Sequence, residues 1–185
     1  REVVFTSGGT ESNNHAIRGL AGSMKSRGRH IITSTIEHPA VSEVCRFLEG
    51  DGFETTFVPV DGQGVVDIQK LRQAVRPDTI LITIMHANNE VGTIQPIAEI
   101  AEIAAAGGIS IHTDAAQSVG KIVCDVQQVG VDLLSLAGHK LYAPKGVGAL
   151  FVKQGVLPEK FCFGAGQENG WSAGTENVLE IVGLG

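Results

Sequence analysis

The sequence predicts an α/β protein in three layers: a doubly wound, mostly parallel sheet with helices on both faces. Three observations carry this. Short β-branched runs recur along the whole chain, stretches of helical periodicity stand between them, and glycines gather where the runs end. The runs are VVFT (3–6), HIITST (30–35), TTFVPV (55–60), TILITIM (79–85), ISIHTD (109–114), VDLLSLA (131–137) and VGALFV (147–152). Among the helical stretches, PIAEIAEIAAAGG repeats Ile97, Ile100, Ala101 and Ala104 on one face, with Pro96 expected in the first turn and Gly107 as the stop. VDIQKLRQAVRP sets Ile68, Leu71 and Val75 in a similar stripe behind an Asp67 cap, and Pro77 ends it.

At 185 residues, 43% hydrophobic and 18% charged, the chain is expected to fold as a single domain spanning 1–185 with a core on each side of the sheet. The net charge of −6 comes from scattered acids without a basic stripe, which argues against a nucleic-acid partner. The longest apolar runs fall short of the roughly 18 residues of a membrane span, and no basic-then-apolar segment opens the chain, so a cytoplasmic or organelle-matrix location is expected. Cys45, Cys124 and Cys162 form no CxxC and no Cys/His ligand pair, which points to reduced packing thiols and to no metal site. Arg1 stands just before a strand, and ENVLEIVGLG resembles the opening of a helix, so the chain is expected to be truncated at both ends.

In open α/β sheets the ligand crevice lies beyond the carboxyl ends of the strands. Here VVFT is followed by SGGTESNN, HIITST by IEH, TILITIM by HANNE, ISIHT by DAAQ and VDLLSLA by GHK. The turn Ser7-Gly8-Gly9-Thr10 could cradle a phosphate ahead of a helix beginning near Glu11, or could be a tight connection with Thr10 as N-cap. It has neither the P-loop nor the dinucleotide pattern. Asp114, in apolar surroundings, needs a cationic or hydrogen-bonding partner such as a protonated ring nitrogen, or else caps a helix. Gln117 could face the same ligand or lie on a solvated face. His38, fixed by Pro39, could face a ring or be structural, Asn88 and Asn89 could hold their loop by Asx turns, and His139 could cap. Lys140 by itself is an ordinary surface lysine. Together, a phosphate cradle, an acid for a ring nitrogen, a histidine and a lysine amine describe pyridoxal 5′-phosphate held as a Schiff base.

The motifs TSGGTESNN, EH, NNEVG, HTDAAQ, GHKLYAPKGVGAL and AGTEN resemble, in order and over essentially the whole chain, those of the NifS-like cysteine desulfurases and selenocysteine lyases, in the class V aminotransferase group. The resemblance implies the large domain of a pyridoxal-phosphate enzyme, with a seven-stranded sheet, a homodimer, and removal of sulfur from L-cysteine to leave L-alanine and a persulfide for an iron–sulfur scaffold or other acceptor. It implies Lys140 as Schiff-base lysine and proton shuttle, Asp114 beside the pyridine nitrogen, Gln117 at the phenolic oxygen, and His38 stacked on the ring and active in proton transfer. Asn89 would lie near ring and substrate, Gly9, Thr10 and His139 would bind the phosphate, and Thr175 would reach the phosphate of the other subunit. Two departures stand out. Ala137 replaces a serine that many members use on the phosphate, and Ser172 stands where many have arginine. The family's nucleophilic cysteine and its carboxylate-binding arginine fall after this stretch, the latter in a C-terminal small domain absent here, and Cys162 comes too soon after Lys140 to serve. The chain alone is therefore expected to be inactive. Other readings are selenocysteine lyase, cysteine sulfinate desulfinase, or a non-catalytic interaction domain that keeps the fold.

Overall fold

Seven strands form one sheet: β1 (Val3–Thr6), β2 (His30–Ser34), β3 (Glu54–Val58), β4 (Thr79–Thr83), β5 (Ser110–Asp114), β6 (Leu133–Ala137) and β7 (Gly148–Val152). The structure, a computed structural model, describes residues 2–185, and Arg1 lies outside the described residues. Strand order is β1-β7-β6-β5-β4-β2-β3, with β2 to β6 mutually parallel and β7 antiparallel to both its neighbours. The predicted doubly wound α/β class is the observed one, and each β-branched run contains a strand.

The helices are α1 (Gly9–Met24), α2 (Pro39–Gly50), α3 (Ile68–Ala74), α4 (Ile97–Gly107), α5 (Val126–Val129) and α6 (Val178–Leu184). Helices α1 and α2 pack on one face of the sheet, where Ala16, Ile17, Leu20, Val41 and Val44 meet Ile31, Leu81, Leu133 and Leu150. On the other face Leu71, Ile97, Ile100 and Val129 of α3, α4 and α5 meet Ile32, Ile82, Ile111 and Leu134. Adjacent strand residues such as Leu81 and Ile82 thus enter different cores, because alternate side chains leave a strand on opposite faces. Each fully buried aliphatic side chain contributes about 1.5–3 kcal/mol relative to exposure.

Helix ends differ from expectation by a residue or two. Helix α1 begins at Gly9 behind Gly8, whose φ of 147° suits glycine, so Thr10 is inside the helix and is not its cap. Pro96 occupies the N-cap position of α4, one residue before the first turn, and the stop is Gly108 in the left-handed region at φ 59°. Asp67 caps α3 as expected, its carboxylate accepting from Lys70 N–H at 3.0 Å, but the helix ends at Ala74 and Val75 is already extended. No helix of the described residues is long and apolar enough to cross a membrane.

The order of winding fixes where a crevice opens. From β2 the chain moves outward through α2 to β3, whereas from β4 it moves the opposite way through α4 to β5. The helices that leave β2 and β4 therefore lie on opposite faces, and a gap opens between the carboxyl ends of these neighbouring strands.

Candidate active site

A cavity of about 240 Å³ lies over the carboxyl ends of the strands. Gly9, Thr10, His38, Asn89, Asp114, Gln117, His139 and Lys140 all line it, so eight of the nine residues singled out from sequence converge. Thr175, the ninth, lines a separate cavity of about 220 Å³ beside β1, with Glu11, Glu168 and Glu176.

Asp114 ends β5 and is buried. Its Oδ1 accepts from Ala116 N–H at 2.9 Å and its Oδ2 from the Asn13 amide at 2.7 Å. Burial pushes this carboxyl above the usual aspartate range, and the two hydrogen bonds together with the nearby His38 pull it back. The helix-cap alternative for Asp114 is thus partly realised, since the Ala116 bond is an Asx turn. The other oxygen belongs to the cavity floor. Asn13, one helical turn beyond Gly9, presents its Oδ1 buried and without a partner.

Helix α1 has no side-chain cap, so its first-turn N–H groups stay available beside Gly9. A Cβ on Gly9 would stand 3.1 Å from the Ala137 Cβ and 4.0 Å from that of Ala116, so glycine keeps the turn against the end of β6. This is the shape and polarity an anion needs. His38 is the N-cap of α2, its Nδ1 accepting from Ala40 N–H at 3.0 Å. A neutral ring that accepts there carries its proton on Nε2. Asn88 holds its loop by accepting from Glu90 and Val91 N–H at 2.9 Å each, as the Asx-turn reading expected, while exposed Asn89 donates to Glu90. Gln117 accepts from Lys121 Nζ at 3.2 Å. His139 and Lys140 form a single 3₁₀ turn with Gly138 directly after β6, and both are exposed at the rim. A backbone turn this tight at the strand end holds the lysine at the cavity mouth.

Sequence reasoning assigned no role to Asn13, Met85, Ala116 or Glu37. Asn13 was the most accessible of these, since it lies at i+4 from Gly9 on the same helical face. Of the cysteines, Cys45 is buried and its thiol is pushed up to about 12 by burial, whereas Cys162, expected to pack, is exposed. Among the described residues no group of three or more His, Cys, Asp or Glu side chains is placed to hold a metal ion.

Residues 1–185 match the family described as Aminotransferase class-V. The cysteine desulfurase IscS of Dictyoglomus turgidum is 56% identical over 184 residues, covering all of this chain and 47% of that relative. A solved NifS-like protein superposes with a TM-score of 0.96 at 43% identity, over 99% of this chain and 51% of that one. SspA solved in complex with cysteine gives 0.94 at 47% identity, over 98% and 53%. The chain spans about half the length of the curated relatives it matches.

Proposed function

The chain belongs to the aminotransferase class-V family, and on that premise we propose that it is the cofactor-binding large domain of a pyridoxal 5′-phosphate-dependent cysteine desulfurase. The complete enzyme would take sulfur from L-cysteine, release L-alanine, and pass a persulfide to a sulfur acceptor or iron–sulfur scaffold in a cytosol-like compartment. In this reading the nucleophilic cysteine, the arginine for the substrate carboxylate and a small domain come from residues beyond this chain, and Thr175 serves a second subunit. The observation that carries the proposal is the shared cavity: a buried carboxyl without a cationic side-chain partner on its floor, and a lysine at its mouth.

The donor set fits the cofactor. The uncapped first turn of α1 with Gly9 and Thr10, and His139 across from it, would hold the phosphate, Asp114 the ring nitrogen, Gln117 the phenolic oxygen, and His38 and Asn89 the ring. When bound, pyridoxal phosphate supplies a carbonyl carbon for amines and a ring that takes up electron density from the substrate's α-carbon. Lys140 serves as the amine that anchors the cofactor and, once free, as the base and acid at that α-carbon. Asp114 keeps positive charge on the ring nitrogen: a buried anion already raised by desolvation gains from a cation beside it. His38, with Nδ1 committed to Ala40, works through Nε2, where it can hold or deliver a proton.

The test is the visible absorption of the purified chain titrated with pyridoxal phosphate, beside Lys140→Ala, with circular dichroism on both. A band near that of lysine-bound cofactor in the first and none in the second is expected. A folded chain with no such band, or an identical band in Lys140→Ala, would overturn the assignment.

A further inference from the structure

We propose that Glu37 is a positioning residue of this site: its carboxyl clamps the loop that carries His38 to the strand end that carries Met85, across the gap between β2 and β4. The inference rests on the reading above for what the cavity binds, but the clamp itself is a matter of this chain's own contacts. Both carboxyl oxygens accept from Met85 N–H, at 3.0 and 3.1 Å, and Oε1 is also hydrogen-bonded to Ser34 Oγ. One residue away, His38 caps α2 and lines the cavity, and Met85 lines it from the other side. A second strap runs parallel to the first, with the Asn88 amide donating to Ile36 C=O at 3.0 Å.

The winding reverses between β2 and β4, so no backbone ladder extends past their carboxyl ends: β2 stops at Ser34 and β4 at Thr83. Beyond those residues each side follows its other neighbour: Ile84 and His86 N–H donate to His112 and Asp114 C=O of β5, and Thr35 N–H to Val58 C=O of β3, so backbone bonds no longer join the two sides. Glu37 bonds to both sides at once and thereby fixes the width of the gap, which sets where His38 stands relative to Asp114.

For packing alone an apolar side chain of similar size would be the less costly filling, because a buried carboxyl without a cation carries a desolvation penalty. Among the described residues no cation faces Glu37 to relieve that penalty. Asp114 of β5 opposes its ionisation, and the Cys45 thiol of α2 is itself discouraged from ionising by Glu37; His38 is the neighbour on its own loop. Burial accordingly raises the Glu37 carboxyl to about 8, with Ser34 and Met85 acting in the opposite direction. Near neutral pH it is mostly the acid, its carbonyl oxygen Oε1 accepting from both Ser34 Oγ–H and Met85 N–H. Glutamine reproduces that pattern and leucine does not.

The experiment compares the chain with Glu37→Gln and Glu37→Leu, reading pyridoxal-phosphate affinity by absorbance titration, the His38 ring tautomer by ¹⁵N NMR, and hydrogen exchange at the Met85 amide. Glu37→Gln is expected to bind within about twofold of the parent and to keep the Nε2–H tautomer. Glu37→Leu, folded, is expected to bind at least about tenfold more weakly, to show a mixture of His38 tautomers, and to lose protection at Met85. If Glu37→Leu fails to fold, Ser34→Ala removes one leg of the clamp and should shift the His38 signals in the same sense. Parental affinity and an unchanged His38 signature in Glu37→Leu, or in Ser34→Ala where that variant is used, would overturn the proposal. So would equal impairment of folded Glu37→Gln and Glu37→Leu, which would mean that charge and not position is required. If the parent itself binds no cofactor, the functional reading fails separately, and the His38 and Met85 signals still decide the role of Glu37.

Discussion

At the floor of the cavity Asp114, Asn13 and Met85 are buried and tied to other elements by hydrogen bonds. At its rim Thr10, His38, Asn89, His139 and Lys140 are exposed, and their positions come from short backbone devices: a helix start, a cap, an Asx-turn loop and a 3₁₀ turn. The floor is therefore part of the fold and the rim is carried by it. A floor substitution should disturb stability and binding together, while a rim substitution should change the chemistry and leave the fold alone.

The sharpest test of that difference pairs Asp114→Ala with Lys140→Ala. Truncating Asp114 leaves Ala116 N–H and the Asn13 amide without their acceptor, so a loss of about 1–3 kcal/mol is expected in urea unfolding. On the proposed assignment, cofactor affinity should fall by about a hundredfold at the same time, since the ring nitrogen would lose its counter-charge. Lys140 is exposed, and its alanine variant should unfold within about 0.5 kcal/mol of the parent while losing the covalent link altogether. Equal destabilisation by both would erase the distinction between floor and rim.

That distinction also explains what was legible in the sequence. The strands were readable because each is a β-branched run between glycines, and the rim because its residues follow directly from strand ends. Asp114 was readable for the same reason, as a lone acid closing an apolar strand. Asn13 and Glu37 were not, because their roles arise from contacts 101 and 48 residues away in the chain, with Asp114 and Met85. No local pattern encodes such a partner. The small errors at α1 and α4 have a local cause: α1 starts two residues before Glu11 because Gly8, not Thr10, takes the cap, and at α4 Gly107 and Gly108 compete for the same end, which only φ decides.

Two titratable groups, Glu37 behind the floor and His112 in the sheet beneath it, have opposite pH responses. His112 is enclosed between Thr83 and Ser135, hydrogen-bonded at 2.8 and 2.9 Å, and burial lowers it from 6.5 to about 3. Its depressed value means that the unfolded chain binds the proton more readily, so its contribution is present above 6.5 and lost as pH falls toward 3. Glu37 is raised from 4.5 to about 8, so its contribution is complete below 4.5 and lost as pH climbs toward 8. Between 4.5 and 6.5 the two slopes cancel, each being at most about 1.4 kcal/mol per pH unit. His15, His30 and His86, all lowered by burial, add to the acid-side fall, and Asp114, raised by burial, adds to the loss as pH climbs. The Glu37 share is therefore read by difference: urea unfolding across pH 4 to 8.5 should show a steeper alkaline fall in the parent than in Glu37→Gln. Equal alkaline falls in the two would assign the fall to another group.

The smallest expected effect lies where floor meets rim, at Ala137. It closes β6, is buried, lines the cavity, and sets its Cβ opposite Gly9. Ala137→Ser adds one hydroxyl beside the uncapped first turn of α1, where a bound phosphate would accept from it. A net gain of about 0.5–1.5 kcal/mol is expected for such a bond, or about two- to tenfold tighter cofactor binding in the absorbance titration. Gly9→Ala should act in the opposite sense. Its methyl would stand 3.1 Å from the Ala137 Cβ, and the turn must move away from the strand end to admit it. The two substitutions probe the same few ångströms from facing sides, so the sign of each is informative. If Ala137→Ser binds no more tightly while Gly9→Ala still weakens binding, the turn matters for shape and the phosphate is held further out, by Thr10 and His139 at the rim.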